Sequence, residues 1–423
     1  MFLFSLEGFS PAALSCYGAS WNRTEAIDAL AARGTAWDRT ITPVADPVEQ
    51  LSRWLASASF PAEQMTVVTD DERLGELPIA DRIGELIVVP TRADGVALTW
   101  EETNLASLAA IAAEQLPDNP HVWMHSRFLT KCWDAPRDLF PVDQLDEEDL
   151  EPMDPSESIE HELNSVGDVR STVPPILDEV QPPSLLFDRS DDPDWIMAWM
   201  RTYGCQIRLV DAVTELMCSV AEASGQSAMV LAGASGFALG QNRAVGHRAG
   251  PLRSCHVHVP MISSVLGADA SEVLPGAGIR DRRVSSADSL PDVVAAMIKD
   301  SKTSPISPEV WAARDDERQD DAPSDVREAR SDNSPSVVTS NARVNVAITT
   351  ANWFYVRDGA QAQGERHDGA EQSEPDFSRG SHGLGHLFLK PDDLNDVNDV
   401  ARLRHDVTEE LEEKLVSQQT AHE

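Results

Sequence analysis

The residues able to do chemistry in this chain cluster at the ends of apolar runs. Glu7 follows the run Met1–Leu6, where a carboxylate is a hard oxygen ligand suited to Ca²⁺ or Mg²⁺. His125, in HVWMHSRF, ends another such run, and Lys131 follows six residues on. Cys255, His256 and His258 stand together in SCHVHVPMI. On a strand, His256 and His258 would share one face. Such a pair binds zinc or another transition metal if a third ligand, such as His247, comes near. Packed histidines hydrogen-bonded within the fold are the competing reading. The run Gly233–Gly240 lacks both G-x-G-x-x-G and P-loop spacing, which leaves nucleotide binding without support.

These residues need a frame, and the apolar pattern supplies one. Strand-length runs recur at Met1–Leu6, Met65–Val68, Leu86–Val89, His121–Met124, Ala228–Ala232 and Val257–Ile262, with helical stretches between them. That alternation predicts a mainly parallel sheet covered on both faces. The clearest helix lies within Trp195–Ser224, where Leu209, Val213 and Leu216 fall at i, i+4 and i+7 and Gly225 follows the end. A shorter helix follows the Cys16-Tyr17-Gly18 turn, with Thr24 as its expected cap, Ile27 and Leu30 on one face, and Gly34 giving the freedom to stop. Open α/β sheets place their sites beyond the carboxyl ends of the strands. Glu7, His125 and the turn Gly233-Ala234-Ser235-Gly236 all occupy such ends.

Composition narrows the field of partners. The 423 residues carry a formal charge of −37, from 71 acidic against 34 basic side chains. That field repels nucleic acid and anionic membranes, so neither is an expected partner. A protein or small-molecule partner of unknown identity is left. Ten Trp and 41% hydrophobic residues indicate a folded chain with a large core. Five scattered cysteines without C-x-x-C spacing argue against a disulfide framework. The N-terminal MFLFSLEGF has no basic region ahead of its apolar run and no membrane-length segment follows, so the expectation is a soluble, cytoplasmic protein. Asp143 to Glu162 holds ten acidic residues and no Lys or Arg, and leads into a Pro-rich stretch to Pro183. That segment, Asp315 to Pro335 and Gly359 to Gly383 read as solvated insertions or loops, with partner docking as the alternative for the first two.

The order of motifs resembles the sulfatases of the alkaline-phosphatase-like superfamily. The opening SCYGASWNRTEAIDALAARGTAWDRTITPVADPV is similar to that family's Cys-Tyr-Gly turn and "LD-LAA-G--F" helix ahead of its Cys-x-Pro-Ser-Arg motif. MVLAGASGFALGQNRAVGH is similar to "VVLTSDHG--LGEHG--GH", His125-Ser126 to the family's "H-S", and Trp133-Asp134-Ala135-Pro136 to its "W--P". Toward the end, Trp353–Val356 and HLFLKPDDLNDVNDVARL resemble "T--W-Y" and "LY-L--DP-E--N". A final helix follows, with Leu403, Val407, Leu411 and Leu415 at four-residue spacing. The likeness runs from Glu7 to about Leu415. It implies an α/β fold with a mainly parallel sheet flanked by helices over about residues 1–300. An acidic insertion falls at about 143–183, a polar linker at 301–343, and a small C-terminal α+β subdomain at 344–423.

The same resemblance implies that the chemistry has been removed. Family members use a nucleophile (Cys matured to formylglycine, or Ser or Thr in related enzymes), a divalent metal and cationic groups around the ester. With Pro47 aligned to the motif's Pro, Ala45 falls at the nucleophile and Glu49 at the Arg. A register slip would nominate Thr40, Thr42 or Asp46, of which Thr42 is the best. Glu7 matches the leading metal-binding Asp, with Ser10 and Ala12 in place of its helpers. Ala234 and Ser235 stand where an Asp and a His ligate metal. His125 and Lys131 match residues that approach the sulfate group. The expectation is a sulfatase-like pseudoenzyme with a binding or regulatory role and no cofactor. The rival is an ester hydrolase with a rebuilt site using Thr42, His125, His247 and Glu7, which would need calcium or magnesium.

Overall fold

The computed structural model describes residues 1–92, 95–141, 173–248, 250–267, 277–299, 336–341, 345–357 and 385–420. The acidic stretch 143–162 and the polar segments 315–335 and 359–383 lie outside the described residues.

The main sheet contains β1 (Phe2–Leu6), β2 (Thr35–Ile41), β3 (Thr66–Thr69), β4 (Glu85–Val88) and β5 (Val122–Ser126). It is completed by β7 (Ala228–Gly233), β10 (His258–Val265) and β11 (Ile279–Ser286). Their spatial order is β11-β2-β10-β7-β1-β5-β3-β4. Only β10 runs against the other seven strands. The short strands β6 (Ser184–Leu186), β8 (Ala238–Leu239) and β9 (Ala244–Gly246) form a separate three-stranded sheet.

Side-chain alternation divides the core into two layers. Phe2, Phe4, Leu6, Met124 and Leu231 point to one face, where α1 (Glu25–Arg33), α3 (Asn104–Gln115) and α4 (Asp194–Ala223) cover them through Ile27, Leu108 and Val213. Leu3, Val67, Trp123 and Val230 point to the other, against Leu51 and Trp54 of α2 (Pro47–Ala56) and Val294 of α5 (Leu290–Lys299). Burial on both faces explains why the central strands read as unbroken apolar runs.

A second, antiparallel sheet follows: β12 (Val337–Asn341), β13 (Asn345–Thr349), β14 (Trp353–Arg357) and β15 (His386–Leu389). The helix α6 (His405–Thr420) packs on one side of it through Val407, Leu411 and Leu415. The opposite face, with Ala347, Phe354 and Phe388, meets Ile41, Val257 and Val284 of the main domain. This is the mainly parallel α/β architecture with a small α+β appendage expected from the sequence. Among the described residues, no helix is long and apolar enough to cross a membrane.

Three local expectations need correction. Thr24 does not cap α1 with its side chain: its hydroxyl is held by Ser15, and the free N–H groups of Ala26 and Ile27 donate instead to the Asp211 carboxylate on α4. Gly34 is not needed for a left-handed backbone, because its φ of −129° is extended. A Cβ there would lie 1.9 Å from the carbonyl oxygen of Ser263, so close approach of β10 is what requires glycine. Leu403 precedes α6 and is 81% exposed, so the helix's apolar stripe begins at Val407.

Candidate functional site

Parallel strands deliver their carboxyl ends to one edge of a sheet. Registers Leu6↔Ser126, Leu6↔Gly233, Thr69↔His125 and Ile41↔His258 put Glu7, Arg127, Ala234, Asp70 and Thr42 on that edge. Glu7 is buried in its middle. Its Oε2 accepts from Arg73 Nη2 and lies 3.4 Å from Arg127 Nε, while its Oε1 lies 3.6 Å from His247 Nε2.

Arg73 is set by the turn that follows β3. Thr69 Oγ1 accepts from the N–H of Asp71, and Asp71 Oδ1 accepts from the N–H of Arg73 at 3.1 Å. The guanidinium then closes a fork on Asp71, with Nε to Oδ1 at 2.8 Å and Nη2 to Oδ2 at 2.9 Å, and its Nη2 also reaches Glu7. Such charge-assisted, paired contacts hold geometry as well as charge. Burial favours the neutral form of Asp71, but the Arg73 hydrogen bonds with the Arg73 and Arg127 charges outweigh it and hold the carboxyl below its ordinary range. Burial likewise disfavours the charged Arg73, and Asp71 and Glu7 more than offset it.

His125 is fully buried beside this pair. Trp123 Nε1 donates to Ser5 Oγ at 2.8 Å, and that oxygen lies 2.8 Å from His125 Nδ1. His125 Nε2 lies 3.9 Å from Asp71 Oδ2. Burial lowers the imidazole pKa to about 4, keeping it neutral. Burial also pushes His247 down, against the pull of Glu7. His247 Nδ1 lies 3.4 Å from both Ser235 Oγ and the Gly236 carbonyl.

The line Ser235–His247–Glu7 has the residue types of a nucleophile, a base and an orienting acid. Ser235, however, has no exposed surface, and its Oγ already accepts from the N–H of Gly8 at 2.9 Å. Ala234 offers no donor atom. Thr42 is equally spent: its hydroxyl donates to the Val257 carbonyl at 3.3 Å, and its own carbonyl accepts from Thr339 at 2.7 Å. Ala45 lies ahead of α2 and donates its N–H to the Ser340 carbonyl at 3.0 Å, while Asp46 caps the Val48 and Glu49 N–H groups and pairs with Arg248 at 2.9 Å. Lys131 Nζ donates to the Asp70 carbonyl at 3.4 Å.

The H-x-H pair does not share a strand face. His256 belongs to the one-turn helix Ser254–Val257 and accepts from the Arg253 N–H at Nδ1, whereas His258 opens β10 and bonds the Asp38 carbonyl through Nε2 at 2.8 Å. Among the described residues, no group of three or more His, Cys, Asp or Glu is arranged to hold a metal ion. The carboxylates at the strand ends do not fit one either. Ca²⁺ requires roughly six to eight oxygens. Here Glu7 and Asp71 already face two guanidiniums.

Asp70, Asp71, Arg73 and Arg127 were not singled out from the sequence. Their signal was nonetheless there, in the Asp70-Asp71-Glu72-Arg73 run after one strand and Arg127 directly after His125-Ser126. Asp70 gives a measurable consequence. Burial raises its carboxyl to about 6 from 3.8, against hydrogen bonds from the Arg127 N–H and Ser126 Oγ. The folded state therefore binds this proton more tightly than the unfolded chain. Its stabilising effect is complete below the unfolded pKa and is lost as pH rises through about 6. Relative to Asp70→Asn, the wild-type chain is expected to lose up to about 3 kcal/mol between pH ~4 and ~6. Urea unfolding of both across that range would detect it; parallel pH profiles would refute the assignment.

No family model matches the chain, and no curated protein matches it in sequence. Solved structures do. The fold is that of solved sulfatases and of a phosphonate monoester hydrolase. In particular, the chain is similar to BT4656, solved with its substrate D-glucosamine-2-N,6-O-disulfate, at 13% identity, TM-score 0.59, and coverage of 99% of this chain and 97% of that one. It is similar to BT1596, a 2-O GAG sulfatase, at 10% identity and TM-score 0.60 over 100% and 92% of the two chains. The phosphonate monoester hydrolase of Agrobacterium radiobacter aligns at 13% identity and TM-score 0.59 over 100% and 95%.

Proposed function

We propose that this chain is a sulfatase-like protein that has lost ester hydrolysis and uses its strand-end pocket for binding or regulation. One observation carries the reading. The resemblance aligns the methyl group of Ala45 with the family's nucleophile, and the hydroxyls of Thr42, just before it in sequence, and of Ser235, at the strand-end cluster, are buried and hydrogen-bonded within the fold. Supporting it, Glu7 is neutralised by Arg73 rather than left to hold a metal. The reading needs no cofactor. The charge of −37 argues against nucleic acid or anionic lipid as the partner, which leaves a protein or a small molecule, acting in the cytoplasm.

The test is turnover of aryl sulfate and aryl phosphate by the full chain with Ca²⁺, Mg²⁺, Mn²⁺ or Zn²⁺ added in turn. The expected rate equals that of buffer. Clear turnover abolished by Glu7→Ala would instead establish the rebuilt-site hydrolase built on Thr42, His125, His247 and Glu7.

A further inference from the structure

The strand-end cluster disagrees with a divalent-metal site in a specific way, and the disagreement has a chemical meaning. Two carboxylates, Glu7 and Asp71, approach each other from β1 and from the turn after β3. Both are almost wholly buried, a placement that is costly unless positive charge lies between them. The guanidinium of Arg73 supplies that charge. Its Nη2 contacts Glu7 Oε2 and also Asp71 Oδ2 at 2.9 Å, so a single nitrogen bridges the two acids, while Nε takes the remaining Asp71 oxygen at 2.8 Å. Arg127 adds a second positive group, with Nε 3.4 Å from Glu7 and Nη1 3.8 Å from Asp71. Two acids thus face two guanidiniums, and the cluster is neutral before any ion is added. Nε2 of His125, Nε of Arg127 and Nε2 of His247 are buried without a hydrogen-bond partner among the described residues, and each faces these carboxylates at 3.4–3.9 Å. An incoming cation would meet nitrogen on every side that these contacts cover.

We infer that Arg73 is an intramolecular cation that takes the place of a divalent ion between Glu7 and Asp71, making the strand-end cluster metal-independent. This stands apart from the loss of turnover, since a metal-free pocket could bind a ligand or catalyse poorly without altering the argument. The arginine is well suited to the task, because its fork is planar, permanently charged and fixed by the Asp71 turn.

The experiment follows thermal unfolding of the full chain in EDTA and in excess CaCl₂ or MnCl₂, with direct cation titration by calorimetry. Wild type is expected to melt at one temperature in all conditions and to release no binding heat. Arg73→Met leaves the two acids facing only the more distant guanidinium of Arg127. It is expected to melt lower in EDTA and to be restored by cation, with the folding equilibrium rising about 100-fold at 100 times the Kd. Glu7→Gln combined with Arg73→Met should abolish the response, and Arg73→Lys should stay cation-insensitive. Cation binding by wild type that Glu7→Gln removes would overturn the inference, and it can be read even if Arg73→Met fails to fold. A folded Arg73→Met that ignores cations would overturn it too.

Discussion

Gly34→Ala is expected to be the most damaging single substitution in the described part of the chain. Gly34 joins α1 to β2 at the point where β10 passes alongside. An alanine Cβ there would sit 1.9 Å from the Ser263 carbonyl oxygen, 2.8 Å from its carbon and 2.9 Å from Ser264 Cα. All three contacts are main chain, so no rotamer change can relieve them. Relief requires β2 to move away from β10, breaking the Thr35↔Ser263 and Ala36↔Ile262 pairing between the second and third strands of the main sheet. Overpacking that a core can absorb costs about 1–3 kcal/mol. This one displaces backbone in a buried sheet and should exceed that range, consuming much of a typical ~5–15 kcal/mol stability. The variant should express as insoluble chain or unfold at far lower urea. A midpoint close to wild type would refute the close approach.

Lys390→Met should be the second largest. Lys390 lies in the segment after β15 and is 7% exposed. Its ammonium pairs with Asp396 Oδ1 at 2.6 Å and donates to Ser254 Oγ at 3.2 Å and to the carbonyls of Asp393 and Leu394. Asp396 in turn accepts from the Ser254 N–H at 2.7 Å and hydroxyl at 2.9 Å. This knot ties the C-terminal sheet to the helix Ser254–Val257. The carbonyl of His256 in that helix accepts from the Gly236 N–H at 2.9 Å, next to Ser235 of the strand-end cluster. Methionine would leave a buried carboxylate without its counter-charge, an expected cost of about 3–5 kcal/mol. Lys390→Met with Asp396→Leu should recover part of the loss, because the stranded charge is gone. A single-variant cost below ~1 kcal/mol in urea unfolding would show that the pair does not hold the two parts together.

Some of this protein can be read from its sequence. The apolar runs near β1, β3, β5, β7 and β10 announce buried strands because both faces of the sheet are covered, whereas β4, at the sheet edge, is half-exposed. The 30 residues of α4 announce themselves through Leu209, Val213 and neighbours at helical spacing. Glu7 and His125 are legible as site residues because each directly ends an apolar run. Ala45, Ala234 and Ser235 draw notice only through the resemblance, which aligns them with that family's nucleophile and metal-ligand positions. Less visible were β2 and β11: TAWDRTI and IRDRRVSS mix charge with apolar residues, as strands at and next to a sheet edge can.

Tertiary structure alone decided who meets whom. Arg73 finds Glu7 across 66 residues, Asp211 caps α1 across 184 and 185 residues, and Ser263 determines what position 34 can tolerate. Periodicity records which side of an element is buried. It does not record strand order, and strand order chooses which carboxyl ends share an edge. A carboxylate at a strand end therefore looks the same in sequence whether it awaits a metal ion or is already held by an arginine from the turn after a strand two places away.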